Sequence, residues 1–321
     1  MRASTFVPST LIALAAFVVG CSDRDGSLLA PAPRAAAVAN RDVADLSFTT
    51  FDVPGASLTL PLDVNESGVI VGRYAVSGHT HGFLRDTDGT LTTIDYPGSS
   101  FTVTSGINAS GDITGWYILP IAPAVRHGFV LANGAFTSFD PPGSTFTNPL
   151  GINESGAVSG RFCAKAACKA PGNGDFHGFV YQDGEFTVVD VPSATETNAF
   201  NLNDRDALFG GFGAGGGEQL FILWHGEFST FPLPNAKPIT QDKGGINARG
   251  DVVGTFCDAA IPCLIGPTAT HGFELGHDGT FSTIDYPGAN ATAATAINSR
   301  GDVVGGWVSA DGIGHGFLLS R

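Results

Sequence analysis

One sequence phrase recurs six times along the chain, and its spacing constrains the fold more than any single residue does. Each copy begins with Asn-x-x-Gly-x-aliphatic-x-Gly-x-aromatic, and successive copies start about 43 to 51 residues apart. The first residues of the copies are Asn65, Asn108, Asn153, Asn203, Asn247 and Asn298. A period of roughly 40–50 residues is typical of a β-propeller blade, which contains four strands. The repeat therefore predicts an all-β propeller.

Each copy divides into four segments of strand length, as copy two illustrates. Its segments are Phe101 to Ile107, Asp112 to Ile118, Arg126 to Ala132 and Ala135 to Asp140. The last two flank Asn133-Gly134, a strong signal for a hairpin turn. In the second segment an aliphatic residue, a glycine and an aromatic residue alternate, which predicts a strand with one packed face. The glycine indicates that a bulky group crosses this strand closely.

The two ends of the repeat array are out of phase with the repeat. Residues 46–55 match a fourth segment without the first three, and residues 315–319 match a third segment without the fourth. Since these fragments complete one blade, residues 45–321 are predicted to form a six-bladed β-propeller with about four strands per blade. The N-terminal strand closes it by pairing with the C-terminal blade. An open array would leave two unpaired edges.

The first twenty residues have the pattern of a secretory signal. Arg2 precedes an apolar segment, Leu11 to Val19, that is too short to span a bilayer. The following Val18-Val19-Gly20-Cys21 resembles the lipobox of bacterial lipoproteins, which implies cleavage before Cys21 and lipidation of its thiol. Residues 1–20 are predicted to be the signal peptide, and residues 21–44 the lipidated cysteine with a flexible tether. The alternative is an ordinary secretory signal with a coincidental cysteine.

If the protein is exported, its localisation and the state of its cysteines can be predicted. We expect an outer-membrane or cell-surface lipoprotein, otherwise a periplasmic or extracellular protein, with membrane contact only through the lipid. An oxidising compartment favours disulfides within two loops, Cys163 with Cys168 and Cys257 with Cys263. A four-cysteine zinc site is the alternative, but zinc knuckles usually have closer cysteines.

A histidine and an aspartate recur on the third and fourth segments of five copies. In copies two and three a two-residue turn, Asn133-Gly134 or Asp183-Gly184, places the histidine opposite the aspartate. Copies one and five have one more residue between the two, so a bulge is required for the same pairing. The predicted pairs are His81–Asp95, His127–Asp140, His177–Asp190, His271–Asp285 and His315–Asp52. Copy four has Gln219 and Pro232 instead, so it lacks both partners. Because the pairs recur from blade to blade, we expect structural hydrogen bonds; metal binding or acid–base chemistry is the alternative.

Two further segments have residues of a kind that binds metals. His79 and His81 lie on one strand face, but no third zinc ligand is evident. Asp86 to Gly89 resembles a fragment of a calcium loop, but it lacks the further acidic ligands and the closing Glu, so a hairpin turn is the favoured interpretation. The sequence contains no nucleophile elbow, P-loop or dinucleotide fingerprint. We therefore expect no metal and no cofactor.

The repeats resemble the HAF-type extracellular repeat family. Its units contain Ile-Asn-x-x-Gly-x-Val-Val-Gly followed by His-Ala-Phe, and residues 246–254 with His271-Gly272-Phe273 match this pattern. The chain has Gly in place of Ala in each His-x-Phe. The resemblance covers nearly all of residues 45–321 and implies a secreted or surface repeat protein. It supplies no catalytic residues.

Differences between the copies indicate where a ligand would bind. The connection between the second and third strands is long in copies two, three and five, and these loops are expected around one end of the central channel. The candidate contact residues, chosen for position and polarity, are Lys165, Lys169, Asn173, Asp175 and Asp258. The net charge of −14 and the lack of a basic stripe exclude nucleic acid as a partner.

The sequence favours a monomeric, surface-anchored or secreted propeller that acts as a binding module for an unknown glycan or protein. One alternative is a propeller hydrolase or lyase with a site at one mouth of the channel. Another is a purely structural component of the cell envelope. An asymmetric cluster of Asp, Glu, His or Arg with perturbed pKa values would favour the enzyme.

Overall fold

The protein is all-β in the computed structural model, which describes residues 47–164, 176–214, 217–233, 236–239, 243–258 and 270–321. These residues contain no helix, and hence none long and apolar enough to cross a membrane. In chain order the strands are β1 (Ser47–Phe51), β2 (Leu58–Val64), β3 (Ile70–Val76), β4 (His79–Arg85), β5 (Leu91–Ile94), β6 (Phe101–Ile107), β7 (Ile113–Ile118), β8 (Arg126–Ala132), β9 (Ala135–Phe139), β10 (Phe146–Ile152), β11 (Val158–Cys163), β12 (His177–Gln182), β13 (Glu185–Val189), β14 (Glu196–Leu202), β15 (Leu208–Ala214), β16 (Gly217–Trp224), β17 (Glu227–Phe231), β18 (Ala236–Pro238), β19 (Gly245–Ile246), β20 (Val252–Asp258), β21 (Thr270–Leu275), β22 (Phe281–Ile284), β23 (Ala291–Ile297), β24 (Val303–Val308) and β25 (Gly314–Ser320).

The strands form six successive antiparallel groups, which we call units one to six. Units one to five are β2–β5, β6–β9, β10–β13, β14–β17 and β18–β22. Unit six contains β23, β24, β25 and the N-terminal β1, which pairs with β25 so that Thr50 lies opposite Phe317. A single parallel bridge, Leu58 to Gly314, joins unit one to unit six. The N-terminal strand therefore lies where the two incomplete repeats predict it.

The predicted segments of copy two agree closely with the strands of unit two. β6 and β8 have the predicted bounds, while β7 starts one residue later and β9 ends one residue earlier. The sequence did not reveal a bulge in the first strand of units one, two, three, four and six. The extra residues are Leu62, Ser105, Leu150, Phe200 and Thr295. A bulge leaves the extra residue outside the ladder, so its backbone is available for other contacts.

The core of each unit contains a glycine covered by a phenylalanine. The pairs are Gly72–Phe83, Gly115–Phe129, Gly160–Phe179, Gly210–Phe221, Gly254–Phe273 and Gly305–Phe317, each directly opposite across the second and third strands. All six phenylalanines are fully buried. A Cβ on Gly115 would lie 2.0 Å from the Val103 carbonyl oxygen and 2.8 Å from Phe129 Cζ. The expected close crossing is confirmed, and the crossing group is the Phe of His-Gly-Phe or, in unit four, Phe221 of Gln-Leu-Phe.

Strand direction gives the assembly two distinct ends. The Asn-x-x-Gly turns and the hairpins between third and fourth strands lie at one end, which we call the Asn end. The connections between second and third strands, and those between units, lie at the other end, which we call the loop end.

Candidate functional site

The repeated asparagines connect neighbouring units at the Asn end. Within its own turn, Asn65 Oδ1 accepts hydrogen bonds from the backbone N–H groups of Ser67 and Val69, both at 3.0 Å. Its Nδ2 donates to the carbonyl oxygen of Asn108 at 3.1 Å. The same donation runs from Asn108 to Asn153, Asn203 to Asn247, Asn247 to Asn298 and Asn298 to Asn65. The last of these bonds joins unit six to unit one.

Carboxylates beside the asparagines add further bonds between units. Glu66 accepts the backbone N–H of Ser299 at 3.0 Å, Asp204 accepts that of Glu154 at 2.9 Å, and Glu154 accepts that of Ala109. These turns surround a cavity of about 60 Å³ on the central axis. It has room for only a few water molecules. The Asn end of the axis is thus a junction between units, and its polar groups are largely engaged.

Lys243 of unit five crosses the centre of the molecule below this junction. Its Nζ lies 3.2 Å from Asp63 Oδ2 and donates to the carbonyl oxygens of Leu62 and Ser105, both at 2.5 Å. Burial lowers the pKa of Lys243 and raises that of Asp63, while their mutual attraction opposes both shifts. The pair is buried and fully coordinated, so we assign it to the scaffold.

A larger cavity lies off the axis at the Asn end, between units five and six, and we call it the five–six cleft. Its volume is about 360 Å³, which falls within the range of small-ligand sites. The lining residues are Arg249, Asp251, Glu274, Gly276, His277, Asp278, Thr280, Ser282, Arg300 and Arg321. They come from the turn before β20, the hairpin β21–β22, the turn before β24 and the residue after β25.

Asp251 is the centre of a hydrogen-bond network in the cleft. Its Oδ1 accepts from Nδ1 of His277 at 2.7 Å and from the His277 backbone N–H at 3.0 Å. Its Oδ2 accepts from Asn247 Nδ2 at 3.0 Å and from Arg249 Nε at 2.9 Å. Burial would raise the pKa of Asp251, but the bonds from His277, Asn247 and Arg249 outweigh it and hold the pKa at about 2. Asp251 is therefore ionised at neutral pH.

The ionised carboxylate fixes the orientation and tautomer of His277. Because a carboxylate only accepts hydrogen bonds, Nδ1 of His277 carries the proton in this contact. The imidazole is half-exposed, and Nε2 is the ring nitrogen that does not contact Asp251. A histidine oriented by a buried carboxylate is an arrangement that general bases use.

The three arginines of the cleft differ in what they contact. Arg300 donates to Asp302 and to the carbonyl oxygen of Glu66, so it joins unit six to unit one. Arg321 pairs with the buried Glu274. Arg249 contacts Asp251 through Nε, and its Nη2 lies beside Gly301, as does Nη1 of Arg321. The terminal groups of Arg249 and Arg321 thus both lie near Gly301, although they come from different units.

The structure brings together all five predicted histidine–aspartate pairs. The Nδ1-to-carboxylate distances lie between 2.6 and 2.9 Å. In unit one the extra residue is accommodated in the turn Asp86–Thr90, where Gly89 has a φ of 90°, so the irregularity lies at the turn and the pairing of β4 with β5 is regular. The same turn contains Asp86 to Gly89, closed by a bond from the Gly89 N–H to the Asp86 carbonyl. The pairs lie at the loop end, remote from the five–six cleft.

Most of the predicted loop site lies outside the described residues. This applies to Cys21, Lys165, Cys168, Lys169, Asn173, Asp175 and Cys263, and to the side chain of Asp258. Cys163 and Cys257 are buried at the ends of β11 and β20. Their pairings remain predictions. Among the described residues, no group of three or more His, Cys, Asp or Glu side chains is placed to hold a metal ion.

The five–six cleft was not predicted, although the sequence contains a signal for it. Asn-x-Arg-Gly-Asp occurs in copies five and six, as Asn247 to Asp251 and Asn298 to Asp302, and in no other copy. His277 is also a histidine outside the His-Gly-Phe motif. Because copies five and six are adjacent and share a motif that the other copies lack, the motif indicates a site between these two copies.

Comparison with known proteins identifies the fold alone. The chain matches no protein-family model and no curated protein. Among solved structures, it is similar to a putative TolB from Agrobacterium tumefaciens, with TM-score 0.55, 10% identity, and coverage of 85% of this chain and 96% of that one. The β-propeller domain of the trilobed protease from Pyrococcus furiosus has a TM-score of 0.51 and 10% identity, and the match covers 84% of this chain and 94% of that one. A gluconolactonase from Xanthomonas campestris has a TM-score of 0.51 and 13% identity, and the match covers 86% of this chain and 90% of that one. The chain has a β-propeller fold.

Proposed function

We propose that this protein is an exported, closed six-bladed propeller of the HAF-type repeat class that binds glycans in the five–six cleft. Closure is supported by the pairing of β1 with β25 and by the hydrogen bond from Asn298 to Asn65. The contact of Lys243 with Asp63 also joins units that are far apart in the chain. The tether at Cys21 is proposed from the signal sequence.

The side chains that line the cleft favour a glycan over a protein as the ligand. Three arginines and three acidic residues line it, so its formal charge is balanced although the chain carries −14. Guanidinium donors, carboxylate acceptors and the hydroxyls of Thr280 and Ser282 lie within one cavity of about 360 Å³. Sugar hydroxyls both donate and accept hydrogen bonds, so they match such a mixed lining. A protein partner would instead need a surface of about 800 Å².

A glycan array probed with the purified chain, followed by calorimetric titration of the best glycan, tests this proposal. The variant Arg249→Gln should weaken binding about tenfold or more, because hydrogen bonds from charged groups contribute about 1.5–3 kcal/mol. Arg205→Gln is the matched control, since Arg205 occupies the same turn position in unit four and donates its backbone N–H in the same way. If no glycan binds, or if both variants weaken binding equally, the proposal fails.

A hydrolase or lyase is the second candidate, and the contact between His277 and Asp251 favours it. His277 would accept a proton at Nε2 while Asp251 stabilises the resulting imidazolium. Incubation of a bound glycan with the protein, followed by mass spectrometry of the products, separates the two functions. For an enzyme, His277→Gln abolishes turnover and retains binding. For a binding module, the glycan is recovered intact.

The tether is tested independently of the ligand. Lipidated protein should label with a radioactive fatty acid in the producing bacterium, and Cys21→Ser should remove the label. A labelled Cys21→Ser variant would contradict the anchor and leave an ordinary secretory signal as the explanation.

A further inference from the structure

Three arginines lie towards the loop end of units one, two and three, and we call them the arginine cluster. Arg73 is in β3, Arg126 is the first residue of β8, and Arg161 is in β11. Burial, followed by the charges of Arg161 and Arg73, lowers the pKa of Arg126 to about 9. Arg161 donates from Nη1 to Asn198 Oδ1 at 3.1 Å, so Arg126 is the residue of the cluster on which a ligand site depends.

Arg126 is held between two aromatic side chains. Its Cζ lies 3.6 Å from the ring centroid of Trp116 and 4.0 Å from that of Phe146. Trp116 stacks in turn on Phe101, with centroids 5.0 Å apart and planes 12° apart. The rings come from units two and three, so the guanidinium is fixed at the boundary between two units. Aromatic contacts on both faces orient a guanidinium firmly.

This stacking occupies the faces of the guanidinium and leaves its edge for hydrogen bonds. All N–H groups of arginine lie in the guanidinium plane and match the two oxygens of a carboxylate or phosphate. The Nε of Arg126 is buried and has no hydrogen-bond partner among the described residues. A buried donor without a partner destabilises a protein unless another group satisfies it.

We propose that the arginine cluster is an anion-binding site, in which the edge of Arg126 binds the carboxylate, phosphate or sulfate group of a ligand at the loop end. An oxyanion would satisfy the unpartnered Nε donor of Arg126 and would be attracted by its positive charge. Pre-orientation by Trp116 and Phe146 would lower the entropy lost on binding. This site is separate from the five–six cleft and does not depend on the glycan proposal.

Calorimetric titration of the purified full chain with inorganic phosphate, sulfate and glucuronate, at constant ionic strength, tests the site. We expect saturable binding of at least one of these anions, and the relative affinities distinguish a carboxylate from a phosphate or sulfate ligand. Arg126→Gln should weaken binding about tenfold or more. Arg126→Lys, which retains the charge without the planar donors, should give an intermediate loss.

The matched control is Arg85→Gln. Arg85 also lies over an aromatic ring, with its Cζ 4.8 Å from the centroid of Phe51, but it is not in the arginine cluster. Anion affinity of this variant should stay within about twofold of the wild type. Thermal unfolding without anion checks that Arg126→Gln is still folded after it loses the stacking on Trp116 and Phe146. Absence of saturable binding, unchanged affinity of Arg126→Gln, or equal loss in Arg85→Gln would overturn the proposal.

Discussion

The ammonium group of Lys243 lies 3.2 Å from the carboxylate of Asp63, so unit five contacts unit one through the centre of the molecule. The two carbonyl groups that also accept from Lys243 belong to Leu62 and Ser105, the bulged residues of units one and two. The bulges leave these carbonyls outside the strand ladders, and the lysine satisfies them. One side chain therefore connects three units at the point where their first strands converge.

Removing one partner of this buried pair should destabilise the protein strongly. Lys243→Met leaves the Asp63 carboxylate and two carbonyl groups buried without their donor, so we expect a loss of about 3–5 kcal/mol in the free energy of unfolding. The double variant Asp63→Leu, Lys243→Met should recover much of this loss, because it removes both charges. Urea unfolding at equilibrium measures both. A single variant as stable as the wild type would contradict the structural assignment of Lys243.

The glycine–phenylalanine pairs should respond differently to an added methyl group. A Cβ on Gly305 would lie 1.9 Å from the carbonyl oxygen of Ala293, a backbone atom, whereas on Gly254 it would first meet the Phe273 ring at 2.8 Å. We expect Gly305→Ala to cost about 3 kcal/mol or more and Gly254→Ala about 1 kcal/mol, because a ring shifts more easily than backbone. Thermal and urea unfolding of the two variants provide the comparison. Equal effects would show that the carbonyl contact is unimportant.

Much of the fold could be predicted from the sequence because each turn and strand pattern occurs in six copies that can be compared. The strand bounds of unit two, the crossing of Gly115 by a bulky group and the position of β1 are all visible in periodicity and phase. The bulges were not visible, since Leu62 and Ser105 have no composition that distinguishes them from strand residues. The hydrogen bonds from Asn65, Asn108, Asn203, Asn247 and Asn298 to the next unit were also missed, because Asn is expected in a turn for its backbone preferences alone.

The candidate site was harder to predict because it depends on contacts between copies. His277 and Arg300 are 23 residues apart in sequence and line one cavity only because units five and six are adjacent. Periodicity compares equivalent positions and does not show which non-equivalent positions meet. Lys243 belongs to no repeated position at all. Its contact with Asp63, 180 residues away in sequence, required the three-dimensional arrangement.

The free energy of unfolding should depend on pH because of Asp251. Its pKa is about 2 in the folded protein and near 3.8 when unperturbed. The ionised form is thus favoured by folding, so the stabilisation is complete above about pH 4 and is lost as the pH falls through 2. Asp251→Asn should be less stable than the wild type by about 1–2 kcal/mol at pH 6, and the difference should shrink towards pH 2. Urea unfolding across this range measures it; a constant difference would contradict the low pKa.

The histidine–aspartate pairs should stabilise the protein modestly. The side chains of His127 and Asp140 are 28% and 30% exposed, so solvent screens their interaction. We expect His127→Ala to lower the free energy of unfolding by about 0.5–1 kcal/mol without affecting glycan or anion affinity. Gln219→Ala, at the equivalent position in unit four, should change stability by less than about 0.5 kcal/mol. A loss of ligand binding in His127→Ala would instead support the functional alternative for these pairs.

Removal of β1 should test closure directly. Phe48 packs against Phe317 and Tyr286, with ring centroids 5.4 and 5.2 Å apart, and Thr50 Oγ1 lies 2.6 Å from the Tyr286 hydroxyl. A chain that starts after residue 55 loses these contacts and exposes the edge of β25, which should lower stability by about 3 kcal/mol or more and promote association between molecules. A chain that starts at residue 45 is the control, because it retains β1 and lacks only the predicted signal and tether. Calorimetry and light scattering compare the two. If both chains unfold at the same temperature and remain monomeric, β1 does not close the propeller.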